Sequence, residues 1–475
     1  MGFLTKIFQP ARNVPVSGTD EEIAEKYRYW RIRIFYSMFV GYVFFYFTRK
    51  NFNSAMSVMI DDLGYTKSDI GILGTVFYIT YGLSKFASGL ISDRSNPRYF
   101  MSIGLIITGI CNIFFGASST IIWFIFFWSL NGWFQGFGWP PITKQLTHWY
   151  SKQERGRWWS LCAVSHNVGG AAIAIIAGIY ATKLGWRYAM YAPGVMSILA
   201  GLFLMNRLRD EPQTLGLPPI EVYHNEKKEQ EHDEENDKSR LTAKEILFTQ
   251  VLNNKFIWCL GMSYFFVYIV RTAMNDWSIL YLNQEKGYDL IAASAGVSWF
   301  EAGGLVGMLV SGFVTDKIFK GHRIPYVGIC VIGMLVSMVM FWRISASLWV
   351  DYILMASIGF WVYGPQMLIG LAAAENVDKK ASGTANGFVG CWAYIGAAFT
   401  GYPLWKLVNE SWDSFFIVLI VCCVLMIFMI LAMLNKNNST NASDADSSTN
   451  KLPLINPIME MFVSIAQIFK IKSSR

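Results

Sequence analysis

The chain has little charge and lacks the cysteine patterns of disulfide scaffolds and metal sites. Only 15% of its 475 residues are charged and 53% are hydrophobic, whereas soluble proteins carry about 25% charge. Its seven cysteines lie in apolar runs without CxxC or Cys/His spacing, so we interpret them as core residues. Charged residues near the N-terminus interrupt the apolar core of a signal peptide. These shortages exclude an ordinary soluble enzyme, a secreted disulfide scaffold and a disordered chain.

The apolar residues are concentrated in twelve runs, most of them close to the roughly 20 residues that a helix needs to cross a bilayer. Strands of a membrane β-barrel would be shorter and would alternate in polarity. We therefore predict an all-α membrane protein with twelve transmembrane helices. The predicted spans are 34–50, 69–92, 99–118, 121–141, 158–182, 188–206, 255–276, 291–315, 325–343, 348–372, 384–405 and 413–434.

A polar, charge-rich stretch after the sixth run divides the chain into two six-helix halves. The loops on one side hold most of the lysine and arginine, which accounts for much of the net charge of +7 and predicts cytoplasmic N- and C-termini. The predicted regions are a cytoplasmic N-terminal segment (1–33), a first half (34–206), a cytoplasmic linker (207–254), a second half (255–434) and a cytoplasmic tail (435–475).

The two halves repeat each other. The pattern Tyr-x3-Tyr-x2-Arg occurs at Tyr42, Tyr46 and Arg49 and, 222 residues later, at Tyr264, Tyr268 and Arg271. The pattern Gly-x3-Asp-[Arg/Lys] occurs at Asp93 and Arg94 and, 223 residues later, at Asp316 and Lys317. Two repeats at nearly one offset predict two structural halves related by a pseudo-two-fold axis along the membrane normal, which is a transporter architecture.

The matched arginines, Arg49 and Arg271, predict an anion site. An arginine inside a membrane helix costs roughly 2.5–3.5 kcal/mol on insertion scales, and each one shares a helix face with its two tyrosines. Guanidinium groups bind phosphate or carboxylate in a bidentate manner. The alternative is that Arg49, helped by Lys50, extends from the end of its span to the membrane surface.

Other polar residues also lie within or near the predicted spans. Tyr81 and Lys85 share a helix face, and His166 is either a hydrogen-bonded core residue or a group that titrates near neutral pH. Glu301 either pairs with a cation in one state of a transport cycle or neutralises the core. Asp276, near the end of its predicted span, is expected at the membrane interface.

Several longer sequence words support one family. They are Tyr46-Phe47-Thr48-Arg49-Lys50-Asn51-Phe52, Tyr81-Gly82-Leu83-Ser84-Lys85-Phe86, Trp133-Phe134-Gln135-Gly136-Phe137-Gly138-Trp139-Pro140-Pro141, His166-Asn167-Val168-Gly169-Gly170 and Tyr363-Gly364-Pro365-Gln366. Together they resemble the organophosphate:inorganic-phosphate antiporter family of the major facilitator superfamily, which includes hexose-6-phosphate and glycerol-3-phosphate transporters.

The resemblance implies the fold of that superfamily and a set of functional residues. It puts the phosphate site on Arg49 and Arg271 and secondary charged positions on Lys85 and His166. The surrounding tyrosines are Tyr42, Tyr46, Tyr81 and Tyr268. The residues expected to control conformation are Asp93, Arg94, Asp316, Lys317 and Glu301, of which the first four would form a cytoplasmic latch.

The implied function is exchange of a sugar phosphate, such as glucose 6-phosphate, for inorganic phosphate by alternating access in the inner membrane. The resemblance implies a monomer without cofactor, metal or nucleic-acid partner. An Asp and Lys pair found in one group of hexose-phosphate antiporters is replaced here by Asn386 and Val389. The stretch 27–31 resembles a sub-branch that includes a hexose-phosphate sensor acting with a histidine kinase, and 217–221 resembles glycerol-phosphate transporters. A membrane phosphatase is disfavoured, because the sequence shows no activated nucleophile or Gly-rich phosphate loop.

Overall fold

The computed structural model describes residues 9, 11–92, 95–224, 248, 251–319, 322–344, 347–377 and 382–444, and this part of the chain is almost entirely α-helical. The first half contains α1 (Asp20–Leu63), α2 (Lys67–Ser92), α3 (Pro97–Ala117), α4 (Ile121–Gln135), α5 (Trp139–Trp149), α6 (Lys152–Leu184) and α7 (Trp186–Arg207). A short helix, α8 (Ile220–Tyr223), follows. The second half contains α9 (Lys255–Gln284), α10 (Leu290–Lys317), α11 (Arg323–Arg343), α12 (Leu348–Glu375), α13 (Ser382–Phe399), α14 (Tyr402–Leu407) and α15 (Trp412–Asp444).

The ends of α1 show how the local sequence sets helix boundaries. The Thr19 side chain accepts a hydrogen bond from the Glu22 backbone N–H (3.4 Å), and the Glu22 carboxylate accepts one from the Thr19 N–H (3.1 Å). This capping box satisfies two free N–H groups of the first turn. At the other end, Gly64 adopts a left-handed conformation (φ 68°) that few other residues tolerate. The helix therefore begins well before the predicted apolar span and ends beyond it.

Eight described helices are long and apolar enough to cross a membrane, namely α3, α6, α7, α9, α10, α11, α12 and α15. The other four predicted spans lie on α1, on α2, on α4 with α5, and on α13 with α14. The last two are interrupted where prolines follow, at Pro140 and Pro403, because proline has no N–H to continue the hydrogen-bond ladder. One interpretation was wrong, since Cys391 is exposed rather than a core residue.

Helix packing within one half is repeated in the other. The contacts of α1 with α6, α2 with α4 and α3 with α7 correspond to those of α9 with α13, α10 with α12 and α11 with α15. Between the halves, α1 contacts α9, α2 contacts α13 and α6 contacts α10. Exchanging the halves leaves this pattern unchanged, which is the property of a pseudo-two-fold axis between α1 and α9.

The end of the bundle opposite to the start of α1, called the far end below, is closed by contacts between the halves. Thr75 Oγ1 donates to the Ala398 carbonyl (2.9 Å) and accepts from the Tyr402 N–H (2.9 Å). Lys67 Nζ donates to the Glu410 carbonyl (3.2 Å) and lies 4.5 Å from the centre of the Trp412 ring. The opposite end, where α1 begins and α15 ends, is called the tail end.

The described beginning of the predicted linker packs on the first half. The Tyr27 hydroxyl on α1 donates to the Pro218 carbonyl, and its ring stacks on Tyr223 at a centroid distance of 4.3 Å. Trp149 Nε1 on α5 donates to the Asp210 carbonyl (2.9 Å). Most of the charge-rich part of the linker and the tail beyond residue 444 lie outside the described residues.

Candidate functional site

Two buried arginines lie at equivalent places beside the pseudo-two-fold axis. Arg49 on α1 is 8% exposed and Arg271 on α9 is 7% exposed. Close by, Asn53 Nδ2 donates to the carbonyl of Asn275 (3.3 Å), and these two asparagines stand 222 residues apart like the arginines. The axis therefore passes next to the pair of arginines.

Aromatic side chains connect the two arginines along one side. The guanidinium carbon of Arg49 lies 5.2 Å from the Tyr46 ring centre. The Tyr46 and His166 rings are 5.8 Å apart, and the His166 and Tyr363 rings are 5.9 Å apart. The Arg271 guanidinium carbon lies 5.0 Å from the Tyr363 ring.

A second aromatic path closes the circle. The guanidinium carbon of Arg49 lies 4.6 Å from the Tyr81 ring, and the Tyr81 and Tyr394 rings are 5.0 Å apart. The Tyr394 and Tyr268 rings are 6.0 Å apart, and Tyr268 lies 5.5 Å from the Arg271 guanidinium carbon. We call the six aromatic residues the collar; they are Tyr46, His166, Tyr363, Tyr268, Tyr394 and Tyr81.

Polar atoms in the collar region lack partners. The Nε atoms of Arg49 and Arg271 and the Nε2 atom of His166 are buried without a hydrogen-bond partner among the described residues. Arg271 Nη2 donates to the Tyr363 hydroxyl (3.2 Å). Buried and unpaired donors are costly, so the site has the chemistry to bind an anion with oxygen acceptors.

The remaining predicted site residues extend the collar. The Tyr42 ring lies 5.7 Å from Tyr46. Lys85 is exposed, and its Nζ donates to the Tyr394 hydroxyl (3.1 Å). The structure thus brings together all eight residues that the sequence predicted for substrate binding.

Unfilled space lies beside α13 on the tail side of the collar. Gly390 and Gly387 continue the face of α13 that carries Tyr394 toward the tail end. A Cβ atom at either glycine would meet open space. In the described residues, contacts between the halves thus close the far end, whereas α13 has space beside it toward the tail end.

Glu301 on α10 connects four helices next to the collar. It is 1% exposed. Its Oε2 accepts from Asn167 Nδ2 (2.9 Å) and the Tyr363 hydroxyl (2.7 Å), and its Oε1 accepts from Asn275 Nδ2 (2.8 Å). Within the described residues, the hydrogen-bond donors to its carboxylate are thus neutral groups in this conformation. The predicted pairing with a cation concerns another state of the transport cycle and stays a prediction.

A buried ion pair that includes Lys50, the residue next to Arg49 in sequence, joins the two halves. Lys50 Nζ lies 2.5 Å from Asp276 Oδ1, whose carboxylate also accepts from the Tyr78 hydroxyl (2.6 Å) and Asn53 Nδ2 (3.0 Å). The expectation that Asp276 lies at the membrane interface was wrong, because α9 continues to Gln284 and keeps this residue at the axis. The sequence reading missed the pairing because it depends on a contact between halves.

The structure describes two of the four predicted latch residues, Asp316 and Lys317, and their surroundings differ. Asp316 Oδ1 accepts from Arg323 Nη1 (2.5 Å), and Arg323 Nη2 lies 3.1 Å from Glu375. These contacts tie together α10, α11 and α12 within the second half. Lys317 is exposed, and the equivalent residues of the first half, Asp93 and Arg94, lie outside the described residues.

Comparisons with known proteins agree with this architecture. A model of the Major Facilitator Superfamily matches residues 38–401. The chain is 53% identical over 430 residues to a probable hexose phosphate transport protein of Chlamydia trachomatis, covering 88% of this chain and 94% of the relative. It is 47% identical over 414 residues to the membrane sensor protein UhpC of Escherichia coli, with 86% and 93% covered. It is 38% identical over 427 residues to the glycerol-3-phosphate transporter of Bacillus subtilis, with 88% and 95% covered.

One solved structure shows the same fold. A bacterial homologue of the human lysosomal transporter Spinster, in an inward-facing and unoccupied conformation, matches with a TM-score of 0.66 at 15% identity. The match covers 85% of this chain and 95% of that structure.

Repeated helical halves around a buried polar centre, together with these matches, define a multi-pass membrane transporter and not an enzyme. The chain belongs to the Major Facilitator Superfamily. Within it, the named relatives fit the organophosphate:phosphate antiporter branch, as the sequence words predicted.

Proposed function

We propose that this protein exchanges a hexose phosphate, such as glucose 6-phosphate, for inorganic phosphate by alternating access. The observation that carries the proposal is the pair Arg49 and Arg271, one from each half, whose buried Nε donors have no hydrogen-bond partner within the described residues. A phosphate group has enough acceptor oxygens to bind two guanidinium groups at once. The name of the relative from Chlamydia trachomatis supports a hexose phosphate as the organic substrate.

The two charges explain why exchange is favoured over one-way transport. Without an anion, closing the halves brings two guanidinium groups together where the dielectric constant is low, which is unfavourable. A phosphate between them offsets this repulsion in every closed state. The carrier therefore returns only when it is loaded, so each outgoing phosphate is replaced by an incoming one.

The collar fits the sugar part of the substrate. Its tyrosine rings provide flat apolar faces, and their hydroxyls provide donors and acceptors. Lys85 beside Tyr394 adds a cation on the open side of the collar. His166, which lies between Tyr46 and Tyr363, faces the same space.

Charge distribution supports an orientation with the tail end in the cytoplasm. In that orientation the closed far end faces away from the cytoplasm, and the space beside Gly387 and Gly390 lies toward it. The relatives named above are bacterial, which supports the inner membrane as the location. We expect the carrier to act as a monomer, because each half supplies one arginine to a single site.

The name of the Escherichia coli relative supports a second candidate function. A sensor would bind external hexose phosphate at the same site and signal through a kinase partner instead of carrying a flux. Glycerol 3-phosphate is the competing substrate, on the basis of the Bacillus subtilis relative.

Uptake into proteoliposomes containing only this protein separates these candidates. Vesicles loaded with inorganic phosphate should take up labelled glucose 6-phosphate at least tenfold faster than glycerol 3-phosphate, and vesicles without internal phosphate should take up neither. Faster uptake of glycerol 3-phosphate would reassign the substrate. Binding of glucose 6-phosphate without uptake would favour the sensor.

A further inference from the structure

Three arginines converge at the tail end of the first half, away from the collar. Arg33 lies on α1, Arg98 on α3 and Arg209 just after α7. Arg33 Nη2 (3.4 Å) and Arg209 Nη1 (2.9 Å) donate to the carbonyl of Asn206, and Arg98 Nε donates to that of Met205. The three guanidinium groups therefore meet at the last turn of α7. We call them the arginine cluster.

Aromatic rings fix the orientation of these groups. The guanidinium carbons of Arg33 and Arg209 lie 4.8 Å and 5.2 Å from the centre of the Trp30 ring. The guanidinium carbon of Arg98 lies 5.2 Å from the Tyr99 ring. Stacking occupies the faces of a guanidinium group and leaves its N–H edges for hydrogen bonds. The bonds to the Tyr29 hydroxyl and to the backbone carbonyls of residues 205, 206 and 208 use only some of these N–H groups. Those edges are the part that binds phosphate.

The cluster has no carboxylate partner among the described residues. Asp210 is adjacent in sequence, but its carboxylate accepts from the Ala11 N–H (2.9 Å) and lies 3.4 Å from Lys144 Nζ. Glu25 is eight residues before Arg33 on α1, which is about 12 Å along the helix axis. The partial negative charge at the end of α7, about half an elementary charge, offsets only part of three positive charges.

The arginines also oppose one another electrostatically. Burial lowers the pKa of Arg209, and the positive charges of Arg98 and Arg33 lower it further. Arg33 Nε is buried and has no hydrogen-bond partner in the part of the chain that the structure describes. An anion bound here would relieve the repulsion and satisfy free donors.

The surroundings indicate where such an anion comes from. Along α7, Leu202 and Leu199 lie four and seven residues before Asn206, on the same face. They are 52% and 60% exposed and lie within the membrane-crossing helix. An apolar, lipid-facing surface therefore leads directly to the arginine cluster.

We propose that Arg33, Arg98 and Arg209 bind the phosphate group of an anionic phospholipid, whose acyl chains lie along the exposed leucines of α7. Basic pockets between helices at the membrane surface bind anionic headgroups in this way. Free inorganic phosphate has the same binding chemistry, but only the lipid also covers the leucine face.

Lipid retention measured by native mass spectrometry tests this proposal. The full-length protein in detergent is titrated with phosphatidylglycerol or with zwitterionic phosphatidylcholine. Phosphatidylglycerol should bind, and each of Arg33→Gln, Arg98→Gln and Arg209→Gln should weaken its binding about fivefold. The control is Arg343→Gln, since Arg343 at the far end also stacks on an aromatic ring, Trp342 (3.8 Å), but stands outside the cluster. This control should bind phosphatidylglycerol like the wild type.

Two results would overturn the proposal. One is unchanged phosphatidylglycerol binding in all three single variants, each of which replaces only one side chain of the cluster. The other concerns inorganic phosphate. Phosphate should raise the unfolding temperature of Arg209→Gln as much as that of the wild type, because the collar is intact in both. Loss of that stabilisation would identify the cluster as a free-phosphate site instead.

Discussion

Among the described residues, Arg49 and Arg271 have no ion-pair partner, unlike the neighbouring buried cation Lys50. Lys50 is similarly buried but lies 2.5 Å from the Asp276 carboxylate. Within the described residues, neither arginine forms an ion pair. Near the axis, the charges without an ion-pair partner among the described residues are therefore those of the two arginines and of Glu301. Two positive charges outweigh the one carboxylate, and on the proposal above this excess selects an anion.

The Lys50 and Asp276 pair predicts a specific pattern of stability. Asp276→Asn leaves Lys50 as an unpaired buried cation, and breaking a buried pair in this way costs about 3–5 kcal/mol. The double variant Lys50→Gln with Asp276→Asn removes both charges and should recover most of the loss. Thermal unfolding in detergent measures both effects. A double variant less stable than Asp276→Asn would contradict the pairing.

His166 predicts a change in the pH dependence of exchange. Its ring lies between Tyr46 and Tyr363, and its buried Nε2 has no hydrogen-bond partner among the residues described. The ratio of His166→Gln to wild-type phosphate exchange should vary with pH, because a phosphate bound beside the imidazole favours its protonated form. The protonation of phosphate itself is common to both proteins and cancels in that ratio. Proteoliposome exchange between pH 5.5 and 8 is the measurement. A ratio independent of pH would show that His166 takes no part in the titration.

Sequence could predict only part of the site at this scale. Arg49, Tyr46 and Tyr42 share a helix face by spacing alone, so their proximity was predictable. Tyr394 and Tyr363 were not selected, although they complete the collar. Neither follows a charged residue at helical spacing, and their positions depend on contacts with other helices.

At the scale of single elements, α10 and α12 pack with their backbones in close contact. A Cβ atom at Gly303 would overlap the backbone of Ala356, and one at Gly307 would overlap that of Phe360. Small residues permit this approach between membrane helices. Because α10 carries Glu301 and α12 carries Tyr363, the packing also positions two groups of the site.

This packing predicts different effects for two glycine substitutions. Gly307→Ala should destabilise the protein by about 1–3 kcal/mol, the usual cost of overpacking. Gly387→Ala is the matched control, because a methyl group there meets open space and alanine favours the helix. Thermal unfolding of both variants is the measurement. Equal stabilities would contradict the close approach of α10 and α12.

Most helices were predictable from long apolar runs. The breaks within two predicted spans, 121–141 and 384–405, were not predicted. Pro140 and Pro403 are visible in the sequence, but a proline only bends some membrane helices. Whether the helix breaks depends on packing with neighbours, which the sequence pattern does not reveal.

At the scale of the whole molecule, closure of the far end depends on a backbone contact between halves. A Cβ atom at Gly71 on α2 would lie 2.9 Å from the backbone at Gly401 and Tyr402, whereas one at Gly74 would lie 3.8 Å from Gly401. The two glycines are about one turn apart on the same helix. Only the first requires close contact.

Alternating access therefore predicts that Gly71→Val abolishes exchange without abolishing binding. The larger side chain holds the far end open, while the collar remains intact. Gly74→Ala should exchange at a rate similar to the wild type. Counterflow reports exchange, and thermal stabilisation by phosphate reports binding. Wild-type exchange by Gly71→Val would contradict the closure described here.

The two-fold relation of the halves followed from the repeated sequence patterns, and the packing agrees with it. The contacts that join the halves, such as Lys50 with Asp276, break the symmetry of those patterns. They also belong to one conformational state. A sequence pattern does not distinguish one conformational state of the transporter from another, so these contacts could not be predicted from it.

The central claim is that Arg49 and Arg271 bind the phosphate that both substrates share. Counterflow of labelled phosphate in proteoliposomes tests it with Arg49→Lys and Arg271→Lys, which keep the charge but lose the fork of donors. Losing such charge-assisted hydrogen bonds should lower exchange about 100-fold in each variant, while Arg343→Lys should exchange like the wild type. Near-normal exchange in Arg49→Lys or Arg271→Lys would contradict the account.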